Sequence, residues 1–363
     1  MGETRKKRHT KQACWIVITT LVAAAGTSAQ TPDATTLLSR CKASLDKFDS
    51  FIVESESSAE VRKKFPHESL HDESHRCSEI RYDGTIPHPR IYLRTRYWGY
   101  ISSLLPDVPR KKALQTSWLA RENLFLRVSV NPRGPKHDLA VFNKPQDTRP
   151  RPGLLTRTVG TGPLLGFFEG DDRRVDEILA TARRLSVRPR MQPADAGGPQ
   201  CYVLEGWVKP EDRYTLWLAP DHGYLPAKVI IRKGTKGKYY EHDRGEYERL
   251  FTSFKNVRFE KKGDAWIPVE ADLEFKRSFK KGYYYAHKCH HKITRFELHP
   301  DHAALRSFEP NDIREGAEVC HVGRDEEYVW KGGKAVPVEK TKHARHELTP
   351  QPVKRCVRER SGR

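Results

Sequence analysis

The sequence predicts a mainly β protein with a few helices, built on an antiparallel sheet. After residue 200, strand-like runs follow one another with short connections, which typically join antiparallel neighbours. Before that point, only residues 34–48 and 172–185 show the apolar spacing of amphipathic helices. Hydrophobic residues make up 37% of the chain, enough to build a core beneath a charged surface.

Residues 1–29 have the three-part layout of a secretory signal peptide. The basic stretch RKKRHTK is followed by the apolar stretch CWIVITTLVAAAG, and the small residues TSA end at Ala29. About 13 apolar residues are too few to cross a bilayer, which takes roughly 20. We therefore expect cleavage after Ala29 and an exported, soluble product, located in the periplasm or outside the cell.

The first half of the mature chain combines the helix at 34–48 with several strands. Strand-like segments include RIYLRTRYWGYIS and LFLRVSV. Residues 144–162 are polar and rich in Pro, Gly and Arg, which predicts an inserted loop. With the later strands, these elements are expected to form one domain over residues 30–310.

The clearest hairpin is YTLWLAPDHGYLPAKVIIRKG, residues 214–234. Two apolar runs flank the turn-forming string PDHG. In the first run, from Tyr214 to Ala219, residues at both odd and even positions are bulky or apolar. A sheet with one wet face would show polar residues on one of the two sets. Both faces of this hairpin must therefore be covered.

The C-terminal part is expected to add two small features. Residues 311–338 contain the runs EVCHV and EYVWKGGKAVPV, which predict an added hairpin. Residues 339–363 hold eight Lys or Arg against three Glu, and predict a basic flexible tail.

The chain is strongly basic, with 66 basic and 47 acidic side chains and a net charge of +19. Removing residues 1–29 takes away five basic residues and one glutamate and leaves +15. Such a surface attracts anionic membranes, glycans or nucleic acid. Lys and Arg are dispersed, however, with no recognition-helix or zinc-finger pattern, and export argues against a nucleic-acid partner. The clearest cluster is RKGTKGK, residues 232–238.

Six cysteines remain after residue 29, and an even number in an exported chain favours disulfides. They are too sparse to form the scaffold of so long a chain, so we expect two or three bridges that staple it. The candidates are Cys41, Cys77, Cys201, Cys289, Cys320 and Cys356.

Motifs for catalysis or metal binding are weak. The run HKCHHK places His287, Cys289 and His291 on one side of a strand, a spacing that could hold zinc or copper. A closed site needs a fourth ligand, and no CxxC or HxxxH pair supports one. No GxSxG elbow, HExxH helix or Walker loop is present. We predict no catalytic residue, metal or cofactor; a metal-dependent enzyme is the less favoured alternative.

Apolar and aromatic side chains offer a ligand-binding surface instead. The string PLLGFF lies on a Gly-containing loop before a helix, as would suit a lid. Other aromatic residues lie on the predicted strands, where core packing is the ordinary alternative. The residues we predict to bind a ligand are Leu164, Leu165, Phe167, Phe168, Tyr202, Leu204, Trp207 and Trp217.

The strings CYVLEGWV, YTLWLAPDHGYLPAKVIIRKG and GDAWIPVEADLEF, in this order, resemble the bacterial outer-membrane lipoprotein-sorting and carrier superfamily (LolA/LolB-like). YTLWLAP is similar to the Leu-Trp-Leu-Asp-Pro-like string of that superfamily, and WIP recurs in similar form before the next strand. The resemblance covers about residues 34–310 and is strongest over 200–298. The insertion, the basic surface and the C-terminal extension depart from a plain carrier, so the chain resembles an enlarged, divergent member.

The resemblance implies an incomplete antiparallel β-barrel wrapped around helices, with an apolar cavity for acyl chains. It implies a non-enzymatic envelope protein, which we expect to be a monomer, that binds a lipid or lipoprotein acyl chain. Basic residues at the cavity mouth would meet anionic headgroups or an anionic membrane surface. These headgroup-binding candidates are Arg232, Lys233, Lys236 and Lys238. The alternative is an envelope interaction or sensor module that binds a protein or a polyanionic glycan.

Overall fold

The computed structural model describes most of the chain after residue 30. The described residues are 31–65, 68–87, 89–99, 114–121, 124–131, 134–143, 161–168, 171, 173–234, 247–279, 282–322 and 326–338. The predicted signal peptide, nearly all of the predicted insertion and the predicted basic tail lie outside them.

Helix α1 runs over Ala34–Leu45, where the apolar spacing predicts it. The Asp33 carboxylate caps its first turn by accepting a hydrogen bond from the backbone N–H of Thr36 at 2.9 Å. Two very short helices follow, α2 over Thr161–Leu164 and α3 over Val175–Leu179. The helix predicted over 172–185 is thus shorter than predicted, because it ends at Leu179 and the chain turns into β7, which begins at Arg184.

Seventeen strands are found in the described residues. Their bounds are β1 Ser50–Phe65, β2 Glu68–Asp83, β3 Arg90–Gly99, β4 Leu114–Arg121, β5 Leu124–Val130, β6 Leu139–Asn143, β7 Arg184–Val187, β8 Gln192–Pro193, β9 Gln200–Lys209, β10 Asp212–Ala219, β11 Leu225–Lys233, β12 Tyr247–Lys262, β13 Ala265–Phe279, β14 Tyr284–Leu298, β15 Glu318–His321, β16 Tyr328–Lys331 and β17 Lys334–Pro337.

The strands form one sheet in the order β7-β9-β10-β11-β12-β13-β14-β1-β2-β3-β4-β5-β6-β15-β16-β17, with β8 on the end of β9. Neighbours run antiparallel except β6 and β15, which are parallel. Strand β1 joins the two halves, because it pairs with β2 on one side and β14 on the other. Among the described strands, no pairing connects β7 to β17, so the sheet is open.

The face of the sheet that carries α1, here called the inner face, holds the main core. The buried face of α1 packs there with side chains from β9 to β14 and from β1 to β3. Leu37, Cys41 and Leu45 of the helix are at most 1% exposed, as are Leu204 and Leu216 of the sheet.

Two smaller cores cover parts of the opposite, outer face. One lies between β3–β6 and the C-terminal segment, and includes Tyr92, Leu126 and Trp330. The other lies on β9–β11, where Ala194 covers Val203 and Trp217. Both faces of the hairpin at residues 214–234 are therefore covered by protein: α1 and the main core on one side, and the segment around Ala194 on the other.

The predicted fold class, a mainly β protein with an incomplete antiparallel barrel around helices, is confirmed by this arrangement. None of the helices within the described ranges has the length and apolar character needed to cross a bilayer.

Gly206 on β9 allows α3 to approach the sheet. A Cβ at this position would lie 2.3 Å from Cδ2 of Leu179, which is closer than real carbon atoms pack. We expect Gly206→Ala to lower the free energy of unfolding by about 1–3 kcal/mol, because the overpacked helix must shift.

Urea unfolding of Gly206→Ala, Leu179→Ala and the double variant measures this effect. Shortening Leu179 makes room for the new methyl group. The free energy of unfolding lost in the double variant should therefore be smaller than the sum of the losses in the two single variants. Strictly additive effects would contradict the steric explanation.

Candidate functional site

A short segment, residues 164–168, fills part of the inner face and is called the plug here. Leu164, Leu165 and Phe168 are 3%, 4% and 1% exposed and belong to the main core. The Phe168 ring meets Phe254 of β12 edge-on, with 5.8 Å between centroids. Gly166 has φ of 84°, and a Cβ there would lie 3.1 Å from Leu45, so the plug turns tightly against α1.

The sheet divides the eight predicted ligand-binding residues between its faces. The four plug residues, Leu204 and Tyr202 lie in or against the main core on the inner face. Trp207 is the cross-strand partner of Arg213 and points to the outer face, as does Trp217. Because neighbouring residues of a strand alternate between faces, Leu204 and Trp207 cannot meet one ligand on the same side.

Both outer tryptophans are held by cations. Arg184 and Arg213 lie over the two sides of Trp207, at 5.1 and 5.2 Å from the ring centroid. Lys228 lies over Trp217 at 5.1 Å and is also paired with Asp195. The faces of these two rings are therefore in contact with the protein's own cations on the outer face of the sheet.

The predicted headgroup residues are divided in the same way. Arg232 points outward and lies over the Phe251 ring at 5.7 Å. Lys233 points inward, is 7% exposed and forms an ion pair with Asp171. The hydroxyl of Tyr214 donates a hydrogen bond to the same carboxylate at 2.9 Å. Lys236 and Lys238 lie outside the described residues.

Lys233 is one of three buried cations in a row across the inner face. Register places Lys233, Arg277 and Lys63 at the same level of β11, β13 and β1, with Leu250 and Tyr285 between them. The three cations, called the inner basic row here, are 7%, 8% and 6% exposed. Sequence reasoning missed this row, although each member belongs to a pair of consecutive basic residues that the sequence displays.

Alternate side chains of the histidine-rich strand β14 also lie on the inner face. His287, Cys289 and His291 share the inner face, as their alternation predicts, and each is 3% exposed. Burial lowers the pKa of both histidines to about 3, with a smaller contribution from the nearby cation of Arg76, so both imidazoles are neutral. Among the described residues, no group of three or more His, Cys, Asp or Glu could hold a metal ion.

The predicted disulfides are not found among the described cysteines. No disulfide joins any two of Cys41, Cys77, Cys201, Cys289 and Cys320, and Cys356 lies outside the described residues. No described cysteine is the cross-strand partner of another: Cys77 lies opposite Glu56, Cys201 opposite Gln192, Cys289 opposite Ala59 and Cys320 opposite Val141. Burial raises the pKa of Cys201 to about 12 and that of Cys289 to about 11, which keeps these thiols protonated and unreactive.

A cavity of about 450 Å³ lies on the outer face, across β12, β13, β14, β1 and β2. Charged side chains line it, among them Glu60, Asp272, Lys288 and His290. His290 pairs with Asp272 at 2.8 Å across the wall. Its many charged side chains distinguish this cavity from the pockets that bind acyl chains, which hold only a few polar groups.

Comparison with known proteins finds likeness at the level of fold. No family model matches the sequence, and no curated protein matches it. Among solved structures, a DUF1329 family protein from Desulfovibrio piger is similar at 13% identity, with a TM-score of 0.31, covering 78% of this chain and 100% of that one.

Two further solved structures come from the superfamily that the sequence resembles. One is a domain described as an outer-membrane lipoprotein-sorting protein from Vibrio parahaemolyticus, with 12% identity, a TM-score of 0.34, and 77% and 97% of the two chains covered. The other is a LolA superfamily protein from Nitrosomonas europaea, with 12% identity, a TM-score of 0.31, and 77% and 99% covered. With TM-scores of 0.31 to 0.34, these likenesses carry no conclusion about the site or the function.

The buried histidines make stability depend on pH. Their folded-state pKa lies below the unfolded value of about 6.5, so the unfolded chain takes up protons first as the pH falls. The stability that the neutral imidazoles provide is therefore complete above about pH 6.5 and is lost between that pH and about pH 3. Between about pH 7 and about pH 5, each of the two histidines should lower the free energy of unfolding by roughly 2 kcal/mol. We expect the double variant His287→Gln with His291→Gln to lack this decrease.

Urea unfolding of the native and variant proteins at each pH measures this slope. The control is His290→Gln, the same change on a side chain of the same strand that is 51% exposed, and it should leave the slope nearly unchanged. Equal slopes for the native protein and the double variant would contradict the assignment.

Proposed function

We propose that the protein binds an amphiphile, with the acyl chain against the inner face in place of the plug and an anionic headgroup at the inner basic row. One observation carries the proposal: the plug fills the apolar inner face without joining the sheet. Its described backbone hydrogen bonds stay within residues 162–168 or reach Asp171 and Val175. A ligand could therefore replace the plug without breaking a described backbone bond to the sheet.

The energies of the two occupants are comparable. We call the state in which the plug lies on the inner face the closed state. Burial of Leu164, Leu165 and Phe168 stabilises it by roughly 5–9 kcal/mol. An acyl chain that buries about ten methylene groups on the same surface contributes about 8 kcal/mol. Because the terms nearly balance, the site can be filled by the plug in the free protein and by lipid in the bound one.

The charges at the end of the plug support an anionic headgroup. Asp171 follows Phe168 by three residues and neutralises Lys233. If the plug leaves the inner face, Asp171 is carried away from Lys233. A carboxylate or phosphate on the ligand can then take the place of the Asp171 carboxylate. Arg277 and Lys63 of the same row extend the positive charge along the sheet.

The plug and the ligand should compete for the same surface. We expect Phe168→Ala, which weakens the closed state by about 3 kcal/mol, to raise the affinity for a fluorescent long-chain fatty acid by up to about 100-fold. Titration of delipidated protein measures the affinity.

The matched control is Phe308→Ala, which removes a similarly buried ring from the C-terminal core on the outer face. It should destabilise the protein without changing the affinity. If the two variants bind the probe equally well, or if no variant binds it saturably, the proposed function is wrong.

Lys233 should distinguish charged from neutral headgroups. We expect Lys233→Met to weaken fatty-acid binding by about tenfold or more while leaving a fatty alcohol of the same chain length little affected. Methionine keeps the apolar stem, so the change removes the charge while filling about the same space.

Because Lys233→Met removes the cation that pairs with buried Asp171, the double variant Asp171→Asn with Lys233→Met tests the same point with the charge balance kept. Lys228→Met, which removes a partly buried lysine from the outer face, is the control. An equal loss for acid and alcohol would exclude Lys233 as the headgroup contact.

A further inference from the structure

A second row of cations crosses the outer face at the same level as the inner basic row. Cross-strand pairing links Arg184, Trp207, Arg213, Arg232, Phe251, Lys276, Ala286 and Arg62 in an unbroken line from β7 to β1. Residues that face each other across strands lie on the same side of the sheet. Its five cations, called the outer basic row here, are Arg184, Arg213, Arg232, Lys276 and Arg62.

The two rows arise from pairs of consecutive basic residues. Arg62–Lys63, Arg232–Lys233 and Lys276–Arg277 each place one cation outside and the next one inside, because side chains alternate along a strand. All three pairs lie near the ends of β1, β11 and β13 that lead into the hairpin connections. One margin of the sheet is therefore basic on both faces, and it is called the basic margin here.

The charge of the outer basic row is only partly cancelled. Arg213 meets Glu205 at 2.9 Å, and Arg62 pairs with Glu60. Arg232 and Lys276 lie over the rings of Phe251 and Tyr284, at 5.7 and 5.3 Å, and an aromatic ring leaves their net charge in place.

Arg213 and Arg232 also face each other directly across β10 and β11. Like charges in that position destabilise a sheet. Glu205 offsets part of this cost through its ion pair with Arg213, and an anionic partner at this surface would offset more of it.

We infer that the basic margin docks on an anionic lipid bilayer. The inner cations are buried, so the outer basic row would make the contact. The rings of Trp207, Phe251 and Tyr284 lie against its cations, and the interface of a bilayer accommodates aromatic rings and basic side chains together. Arg62, with 54% of its side chain exposed, and the exposed Arg232 and Lys276 would contact the headgroups. Docking goes beyond the proposed function; only the further step, passage of an amphiphile along the inner basic row, rests on it.

Flotation with vesicles of phosphatidylglycerol and phosphatidylcholine in equal parts tests the inference. We expect the native protein to float with these vesicles at low salt, to dissociate from them as the salt concentration rises, and not to bind vesicles of pure phosphatidylcholine. Each basic residue near an anionic surface contributes about fivefold to binding, so Arg62→Gln, Arg232→Gln and Lys276→Gln together should weaken it about 100-fold.

The control changes Lys261, Lys262 and Lys292, which are exposed and lie away from the basic margin, to Gln. It has the same net charge and should retain binding to within a few fold. Equal losses in both triple variants would overturn the inference, since net charge alone would then govern binding. Binding of a soluble sulfated polysaccharide without binding of vesicles would overturn it as well. Fatty-acid binding by the margin variant reports on the proposed function separately, because these three side chains point away from the inner face.

Discussion

The pairing of β1 with β14 is the interaction on which the rest of the structure depends. It runs from Phe51 opposite Leu298 to Lys64 opposite Tyr284, and joins residues more than 200 positions apart in the chain. Closing so long a loop costs conformational entropy that local contacts do not recover. Once the pairing forms, two separate meanders become one sheet, and α1 gains an inner face wide enough to cover its apolar side.

The same pairing aligns charges that lie far apart in the sequence. Lys63 of β1 comes level with Arg277 of β13 and Lys233 of β11 only because β14 lies between the two halves. A shift of one residue in this register would exchange the inner and outer cations throughout β1. Register thus decides both the lining of the inner face and the charge of the outer one.

Stability is distributed unevenly over the inner face. The strands are fixed by ladders of backbone hydrogen bonds, whereas none of the plug's described backbone hydrogen bonds reaches the sheet. Its side chains are buried in the main core, and the nearby Asp171 forms an ion pair with Lys233. Segments that take part in ligand exchange are drawn from the less strongly anchored parts of a fold. The plug has no described backbone hydrogen bond to the sheet, and its apolar side chains resemble the acyl chain that would replace them.

The sequence by itself determined the local elements and the class of the fold. The spacing of Leu37, Cys41 and Leu45 specified α1, and the turn after Ala219 specified a hairpin covered on both faces. Only the tertiary structure decided which residues meet: it aligned Lys233, Arg277 and Lys63, ended the second helix at Leu179 and joined no two described cysteines by a disulfide. The physical reason is range, because periodicity reports a segment's own faces, whereas strand order and register are set by contacts between distant parts of the chain.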